Sequence, residues 1–263
     1  MESLIDIGAN LAHDSFDDDR DEVLQRAADA GVSRIVVTGS SDESNQKAAR
    51  LAEKHPGVLW STAGVHPHHA SDYTGDSDAL IRTLAAAGSI VAVGECGLDY
   101  FRNFSPRDAQ LAAFQSQLDI AAETGLPVFL HQRDAHDDFV EVLEPMLPKI
   151  SRAVAHCFTG EHESLREYLA MGLYIGVTGW ICDERRGKHL QDIVSIVPDD
   201  RLMIETDAPY LLPRTIEPKP KTRRNEPMYL PEVLRVVAEA RGQSEAAVAR
   251  ATTENAVTFF GLG

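Results

Sequence analysis

The sequence predicts an α/β protein whose strands close into a (β/α)8 barrel, formed by a single domain over residues 1–263. Short apolar runs rich in β-branched residues alternate with segments of helical spacing throughout the chain. Eight such runs begin between residues 4 and 202, at intervals of about 28 residues. This alternation indicates a parallel sheet, and eight units favour a closed barrel. A doubly wound open sheet remains the alternative.

The predicted strands are nearly continuous in apolar character, as expected of strands buried on both faces. In chain order they cover residues 4–9, 34–38, 58–65, 90–95, 126–131, 153–156, 173–177 and 202–205. The clearest helix covers 108–124, and it ends before Gly125, a residue type that commonly follows a helix.

The chain after the eighth strand departs from the alternation of strand and helix. Residues 209–220 are rich in proline and predict a long loop, and 228–241 and 244–260 predict two closing helices.

Composition excludes several classes of protein. The chain has 25 Lys and Arg against 41 Asp and Glu, a net charge of −16, which argues against a broad basic surface for duplex DNA. No apolar run is long enough to cross a membrane, so no membrane partner is expected. The three cysteines form no paired pattern and the N-terminal residues lack a secretory signal, which favours a reduced, cytoplasmic setting. We expect a monomer.

Five polar residues lie at or just after predicted strand ends. They are His66, Glu95, His131, His156 and Asp207. In a barrel these positions converge on one mouth, where active sites are built. Imidazoles and carboxylates gathered there predict a site for a divalent metal ion.

The sequence resembles the TatD family of metal-dependent hydrolases along nearly its whole length. The matching segments are DIGANL, AGVHPH, VGECGLDYFRNFS, VFLHQRDAH, HCFTG, YIGVTGWICDERRG, ETDAPYLLPR and RRNEP, in this order. The resemblance implies a TIM barrel of the metallo-dependent hydrolase type and divalent-metal hydrolysis of phosphodiester bonds. It also implies 3′–5′ exonuclease action on single-stranded DNA, and on RNA, with a role in DNA processing or repair.

The resemblance also implies roles for individual residues. Glu95, His131 and His156 match the family's metal ligands. Asp207 matches a residue that is a possible ligand and the expected base for the attacking water. His66 matches a histidine placed to meet the scissile phosphate.

One segment departs from the family pattern. Many relatives begin with D-x-H-x-H, whose two histidines bind metal, whereas Gly8 and Asn10 occupy those positions here. Glycine donates nothing and asparagine offers only a neutral oxygen, so Asn10 is expected to contact substrate instead. We expect one firmly held ion and a second bound weakly. Mg²⁺ is the expected ion, with Mn²⁺ or Zn²⁺ as alternatives.

Further residues are expected to bind the nucleic acid. Arg133, Arg223 and Arg224 are candidates for phosphate contacts, because loops after barrel strands often bind phosphate. Trp180 and Tyr210 are candidates for stacking on bases. Five other histidines are expected at the surface or in loops: His68, His69, His136, His162 and His189.

Two other functions stay open. The same metal site would suit an amidohydrolase-like enzyme or one that cleaves an ester linked to nucleic acid. A barrel that binds a partner without catalysis is a third possibility, although the complete set of predicted ligands argues against it.

Overall fold

The computed structural model describes residues 3–263 and contains eight parallel strands in sequential order. The strands are β1 Leu4–Ala9, β2 Val32–Val37, β3 Leu59–Ala63, β4 Ala92–Asp99, β5 Val128–Arg133, β6 Ala153–Ala155, β7 Tyr174–Val177 and β8 Leu202–Ile204. Just past β8, the Asp207 amide donates to the Gly8 carbonyl of β1 at 2.8 Å, so the sheet returns to its first strand. The predicted barrel is confirmed, and the open sheet is excluded.

A helix follows each of the first seven strands, and two helices follow β8. They are α1 Arg20–Asp29, α2 Asp42–Lys54, α3 Gly75–Ala86, α4 Arg107–Thr124, α5 His136–Leu143, α6 His162–Ala170, α7 Lys188–Ile193, α8 Leu230–Arg241 and α9 Glu245–Phe260. The predicted helix over 108–124 and both closing helices are present. Gly125 follows α4 with a φ of 73°, the left-handed conformation that ends a helix without steric cost. None of the helices described is long and apolar enough to cross a membrane.

Two strands run further than predicted. β4 continues to Asp99 and β5 to Arg133, and the two strands pair from Cys96 with Leu130 through Asp99 with Arg133. The prediction that Glu95 and His131 end their strands is therefore wrong. Their polar side chains mark positions that face the barrel interior, and backbone pairing continues past them.

The apolar core has two parts. The larger lies between the strands and the surrounding helices. The smaller joins inward-facing strand residues, Phe129 among them, to Phe259 and Phe260 of α9. The Phe129 ring lies 4.6 Å from the His156 ring and 6.4 Å from the Phe260 ring. Phe129 thus separates the apolar base of the barrel from the polar side chains at its mouth.

Candidate metal centre and active site

Glu95 stands at the centre of the polar cluster in the barrel mouth. Its Oε1 atom lies 2.8 Å from Nε2 of His156, 3.0 Å from Nδ1 of His131 and 3.4 Å from Nε2 of His66. The Glu95 side chain is buried. Side chains from β4, β5 and the ends of β3 and β6 therefore meet around one carboxylate oxygen.

Glycines in β4 make this convergence possible. Gly94 and Gly97 have φ values of 135° and 140°, which side chains rarely allow. A Cβ atom at Gly94 would collide with the Phe129 carbonyl oxygen, and one at Gly97 with the His131 carbonyl oxygen. The register of β4 against β5 shifts between Val93 and Cys96. β4 therefore approaches β5 closely while it turns Glu95 inward.

The protonation equilibria of the cluster are strongly coupled. Burial alone would raise the pKa of Glu95, but the nearby His156 and His66 imidazoles hold that pKa well below its usual value. Burial opposes charge on His156, yet the Glu95 and Glu205 carboxylates hold its pKa well above the usual value. Burial holds the pKa of His66 well below the usual value in spite of Glu95. Burial thus favours the neutral form of His66, whose ring nitrogen has a lone pair that can bind a cation.

The residues fit a divalent cation. The potential ligand atoms of His66, Glu95 and His131 all lie within 4.8 Å of one another. Nε2 of His131 is buried and, within residues 3–263, has no hydrogen-bond partner; it is 3.4 Å from Asp99 Oδ2. A buried ring nitrogen without a partner is costly unless something binds it. Imidazole nitrogens beside carboxylate oxygens form a donor set for Mn²⁺, Zn²⁺ or Mg²⁺.

This tight group differs from the predicted ligand set. It includes His66, which was expected to meet the phosphate, and it does not include His156 or Asp207. His156 still contacts the same Glu95 oxygen through Nε2, while Nδ1 on the opposite edge of its ring faces Glu205. The structure thus brings four of the five predicted residues into direct contact and leaves Asp207 beside them.

Asp207 lies on the turn after β8 and is held by β1. The Asn10 side-chain amide donates to its Oδ1 at 3.0 Å. Burial raises the pKa of Asp207 to about 7. Asn10 therefore orients Asp207, and its expected contact with substrate stays a prediction.

Two acidic residues with a close role in the site escaped the sequence analysis. Glu205 is fully buried, lies 3.1 Å from Nδ1 of His156 and accepts the Cys157 amide at 2.6 Å. Asp99 is 2.8 Å from Nε2 of His68 and has a pKa well below its usual value. Burial would raise that pKa, but the His131 and His68 imidazoles beside the carboxylate outweigh it. Their only sequence signal was their place in the ETDAP and GLDY segments.

His68 lies closer to the cluster than predicted. It was expected at the surface or in a loop; it lies in the short turn after β3, and its ring packs against the His66 ring with centroids 4.2 Å apart. The contact between Nε2 of His68 and the Asp99 carboxylate fixes the orientation of the His68 ring. His68 therefore supports the cluster from the β3 side, because the turn after β3 folds back over the mouth.

Gly8 explains the missing first-strand ligand. A Cβ atom at Gly8 would lie 2.5 Å from Glu205 Oε2 and 2.9 Å from the Phe129 ring. The Glu205 carboxylate fills the space that a first-strand side chain would need. This chain consequently has no room for a ligand on β1 at that position.

The predicted phosphate-binding arginines differ in their surroundings. Arg224 donates to Asp19 at 2.7 and 2.8 Å and to Glu226 at 2.8 Å, so its guanidinium is paired within the protein, and its contact with substrate stays a prediction. Arg223 is exposed in the same loop. The Arg133 guanidinium stacks over Phe101 at 4.0 Å and faces Trp180 at 5.4 Å.

Tyr210 borders an open cavity beside the cluster. The cavity has a volume of about 210 Å³ and lies between the chain segments that follow β1 and β2. Asn10, His13, Ser40 and Lys47 contribute to its wall. Tyr210 is half exposed, and its ring meets the His13 ring edge-on at 6.0 Å. The mouth is thus wide enough on this side to admit part of a substrate.

Comparison with known proteins agrees with this geometry. The family model described as TatD related DNase matches residues 5–261. A protein named 3′-5′ ssDNA/RNA exonuclease TatD from Erwinia billingiae is 51% identical over 259 residues, covering 98% of this chain and 99% of that protein.

Solved structures give the same result. The fold is similar to YJJV, a TatD homolog from Escherichia coli K12, with a TM-score of 0.89, 30% identity and 98% of each chain covered. It is also similar to a TatD family hydrolase from Entamoeba histolytica, with a TM-score of 0.89 and 27% identity over 100% of this chain and 99% of that one.

Proposed function

The chain belongs to the TatD-related DNase family of hydrolases, and we propose that it is a divalent-metal-dependent 3′–5′ exonuclease acting on single-stranded DNA and RNA. The observation that carries this proposal is the meeting of three imidazoles on the Glu95 carboxylate at the barrel mouth. The activity itself is the one named for the relative that is 51% identical.

Each residue of the cluster has a role in this proposal. Glu95, His131 and His156 would hold the cation, and His66 would complete the group or contact the scissile phosphate. A bound divalent cation supplies positive charge that eases deprotonation of water and offsets negative charge on the phosphate. Glu205 fixes the ring of His156, since it lies against the nitrogen that faces away from Glu95.

Asp207 serves as the proton acceptor for the attacking water. Its Oδ1 atom is held by Asn10, which leaves Oδ2 to accept from a water molecule. A partly buried carboxyl with a pKa raised to about 7 is matched to proton transfer near neutral pH. The positive φ of 54° at Asp207 turns the side chain back towards β1 and the cluster.

The proposal extends to the cofactor and the setting. We expect Mg²⁺ as the working ion, with Mn²⁺ as a substitute, because no histidine on β1 completes a nitrogen-rich site. We expect a monomer in the cytoplasm that takes part in DNA processing or repair. The three cysteines are free in the described part of the chain, which suits a reducing compartment.

The test is hydrolysis of 5′-labelled single-stranded DNA and RNA with Mg²⁺, Mn²⁺ or Zn²⁺, and with chelator. We expect labelled products that shorten progressively from the 3′ end and disappear when the metal is removed. Glu95→Gln should abolish cleavage, whereas Glu245→Gln, at the surface of α9, should not. Internal cuts or chelator-resistant cleavage would contradict the proposal. Ester or amide cleavage with intact DNA would favour an amidohydrolase-like function.

A further inference from the structure

An exposed surface of aromatic rings and guanidinium groups borders the metal centre on the side of β4, β5 and β7. We call it the aromatic track and define it by Phe101, Phe104, Arg133 and Trp180. Phe101 is 53% exposed and Phe104 is 67% exposed, unusual values for large apolar side chains. Both follow the end of β4.

A line of neighbouring rings, packed edge-on or tilted against one another, joins the track to the centre. The Phe104 ring lies 4.7 Å from the His68 ring, which lies 4.2 Å from the His66 ring. The His66 ring in turn lies 4.4 Å from the His131 ring. A base stacked on Phe104 would therefore lie at one end of this row of rings. The candidate metal ligands lie at the other end.

A second line runs through Arg133. This residue lies two positions after His131 on β5, so the two side chains leave the strand on the same face. Its guanidinium is held between Phe101 and Trp180, at 4.0 and 5.4 Å from the ring centroids. Stacking fixes the plane of the guanidinium but leaves its N–H groups at the edge, where they can donate to an anion.

This surface carries an unpaired positive charge, although the molecule as a whole is strongly acidic. Arg133 forms no ion pair with a carboxylate among the described residues, whereas Arg186, which also stacks on Trp180 at 4.3 Å, is bound to Asp183. An unpaired cation between exposed rings is the combination that binds single strands, since bases stack on the rings and phosphates meet the cation. The net charge of −16 makes such a local site necessary for a polyanion to approach.

We propose that the aromatic track binds the nucleotides on the 5′ side of the scissile bond, with bases stacked on Phe101 and Phe104 and a phosphate paired with Arg133. This inference rests on the proposed exonuclease function. An enzyme that removes nucleotides from the 3′ end has one nucleotide beyond the cleaved bond, so any extended surface must hold the 5′ part. The track then sets affinity for longer strands.

The test compares binding of two oligonucleotides of about twelve nucleotides, one of thymidylate and one with abasic sites at the internal positions. Phosphorothioate linkages at the 3′ end prevent cleavage while Mg²⁺ is present. We expect wild type to bind the abasic strand at least about fivefold more weakly. Phe101→Ala and Phe104→Ala should each weaken binding of thymidylate at least about fivefold and reduce the difference between the two strands.

Kinetics provide the second measurement. The ratio of kcat/KM for the thymidylate strand to that for the dinucleotide pTpT should fall in both phenylalanine variants. Arg133→Ala should lower the ratio and flatten the salt dependence of KM. Ile196→Ala and Arg50→Ala, exposed residues outside the track, are matched controls and should behave as wild type.

The outcomes separate the two proposals. If wild type cleaves neither pTpT nor the longer strand, the exonuclease function is wrong. If it cleaves both while the phenylalanine variants bind and discriminate like wild type, the track is wrong and the function stands. Absence of measurable binding by a wild type that cleaves pTpT also overturns the track.

Discussion

At the residue scale, Gly8 and Glu205 determine how the β1 side of the metal centre is packed. Gly8 lacks a side chain, and Glu205 occupies the space next to it while lying against His156. Gly176 on β7 faces the same carboxylate, since a Cβ atom there would lie 2.6 Å from Glu205 Oε1. The buried carboxylate thus depends on two glycines. The absence of a side chain at residue 8 and the burial of the Glu205 carboxylate therefore go together.

The first prediction follows from that packing. Gly8→Ala places a methyl group within 3 Å of the Glu205 oxygen and the Phe129 ring, so it should lower the free energy of unfolding by ~1–3 kcal/mol. Urea denaturation measures the change. Gly75→Ala is the matched control, because a Cβ atom there has no neighbour within 4 Å. Equal stability of both variants would show that Glu205 does not fill the space beside Gly8.

The second prediction concerns Asp207. Asp207→Asn keeps the shape of the side chain and the turn after β8 but removes the proton acceptor. We expect kcat to fall about 10²–10⁴-fold while the metal content and melting temperature stay near wild type. Asp200→Asn, at an exposed carboxylate, is the control. Loss of bound metal in Asp207→Asn would instead make Asp207 a ligand, and near-normal turnover would remove it from the base role.

At the element scale, a partly buried network of charged side chains connects the loop after β8 to α1. Arg224 and Arg26 both contact Asp19 and Glu226, with distances of 2.7 to 3.1 Å. Glu226 is nearly buried, whereas the other three side chains are about one-third exposed or less. The network anchors the end of the long loop, and Asn225 fastens it further by donating to the Thr206 carbonyl at 2.9 Å.

The third prediction uses the pH dependence of this network. Hydrogen bonds from Arg224 lower the pKa of Asp19 to about 2 in the folded protein, below the value of 3.8 expected when unfolded. The stabilisation is therefore complete above about pH 4 and is lost as the pH falls towards 2. Asp19→Asn should cost ~1 kcal/mol at neutral pH and progressively less under acid.

Thermal unfolding of both proteins from neutral pH down to pH 3 measures this difference. Asp18→Asn, an exposed neighbour without these contacts, is the control. A constant gap between wild type and Asp19→Asn at every pH would contradict the argument.

At the scale of the whole molecule, the barrel concentrates donors for a cation within a strongly acidic protein. Four strands supply the residues around Glu95, so the centre links distant parts of the chain. An ion bound only to the folded state stabilises it by mass action, by ~2.7 kcal/mol at a hundredfold excess over Kd. Metal binding and global stability should therefore change together.

The fourth prediction is one tightly bound ion per chain. Calorimetric titration with Mn²⁺ should give a single high-affinity site, and saturation should raise the melting temperature. Glu95→Gln should remove both effects, whereas His162→Gln, at an exposed position on α6, should retain them. Two ions of equal affinity without substrate would contradict the effect assigned to Gly8.

The strand order, the closing helices and the identity of most cluster residues were predictable from the sequence. Apolar periodicity is a local property, and the position of a polar residue near a strand end, such as His156, already places it at one mouth. The resemblance of the motifs to the family supplied the chemistry.

Only the tertiary structure decided which side chains touch. The bulge in β4 that turns Glu95 inward, the burial of Glu205 beside Gly8 and the capture of Arg224 by Asp19 all depend on contacts between residues far apart in sequence. Such contacts are set by strand register and by how closely backbones approach. The spacing of apolar residues encodes neither strand register nor the approach of backbones. Which side chains lie close together is therefore seen only in the folded barrel.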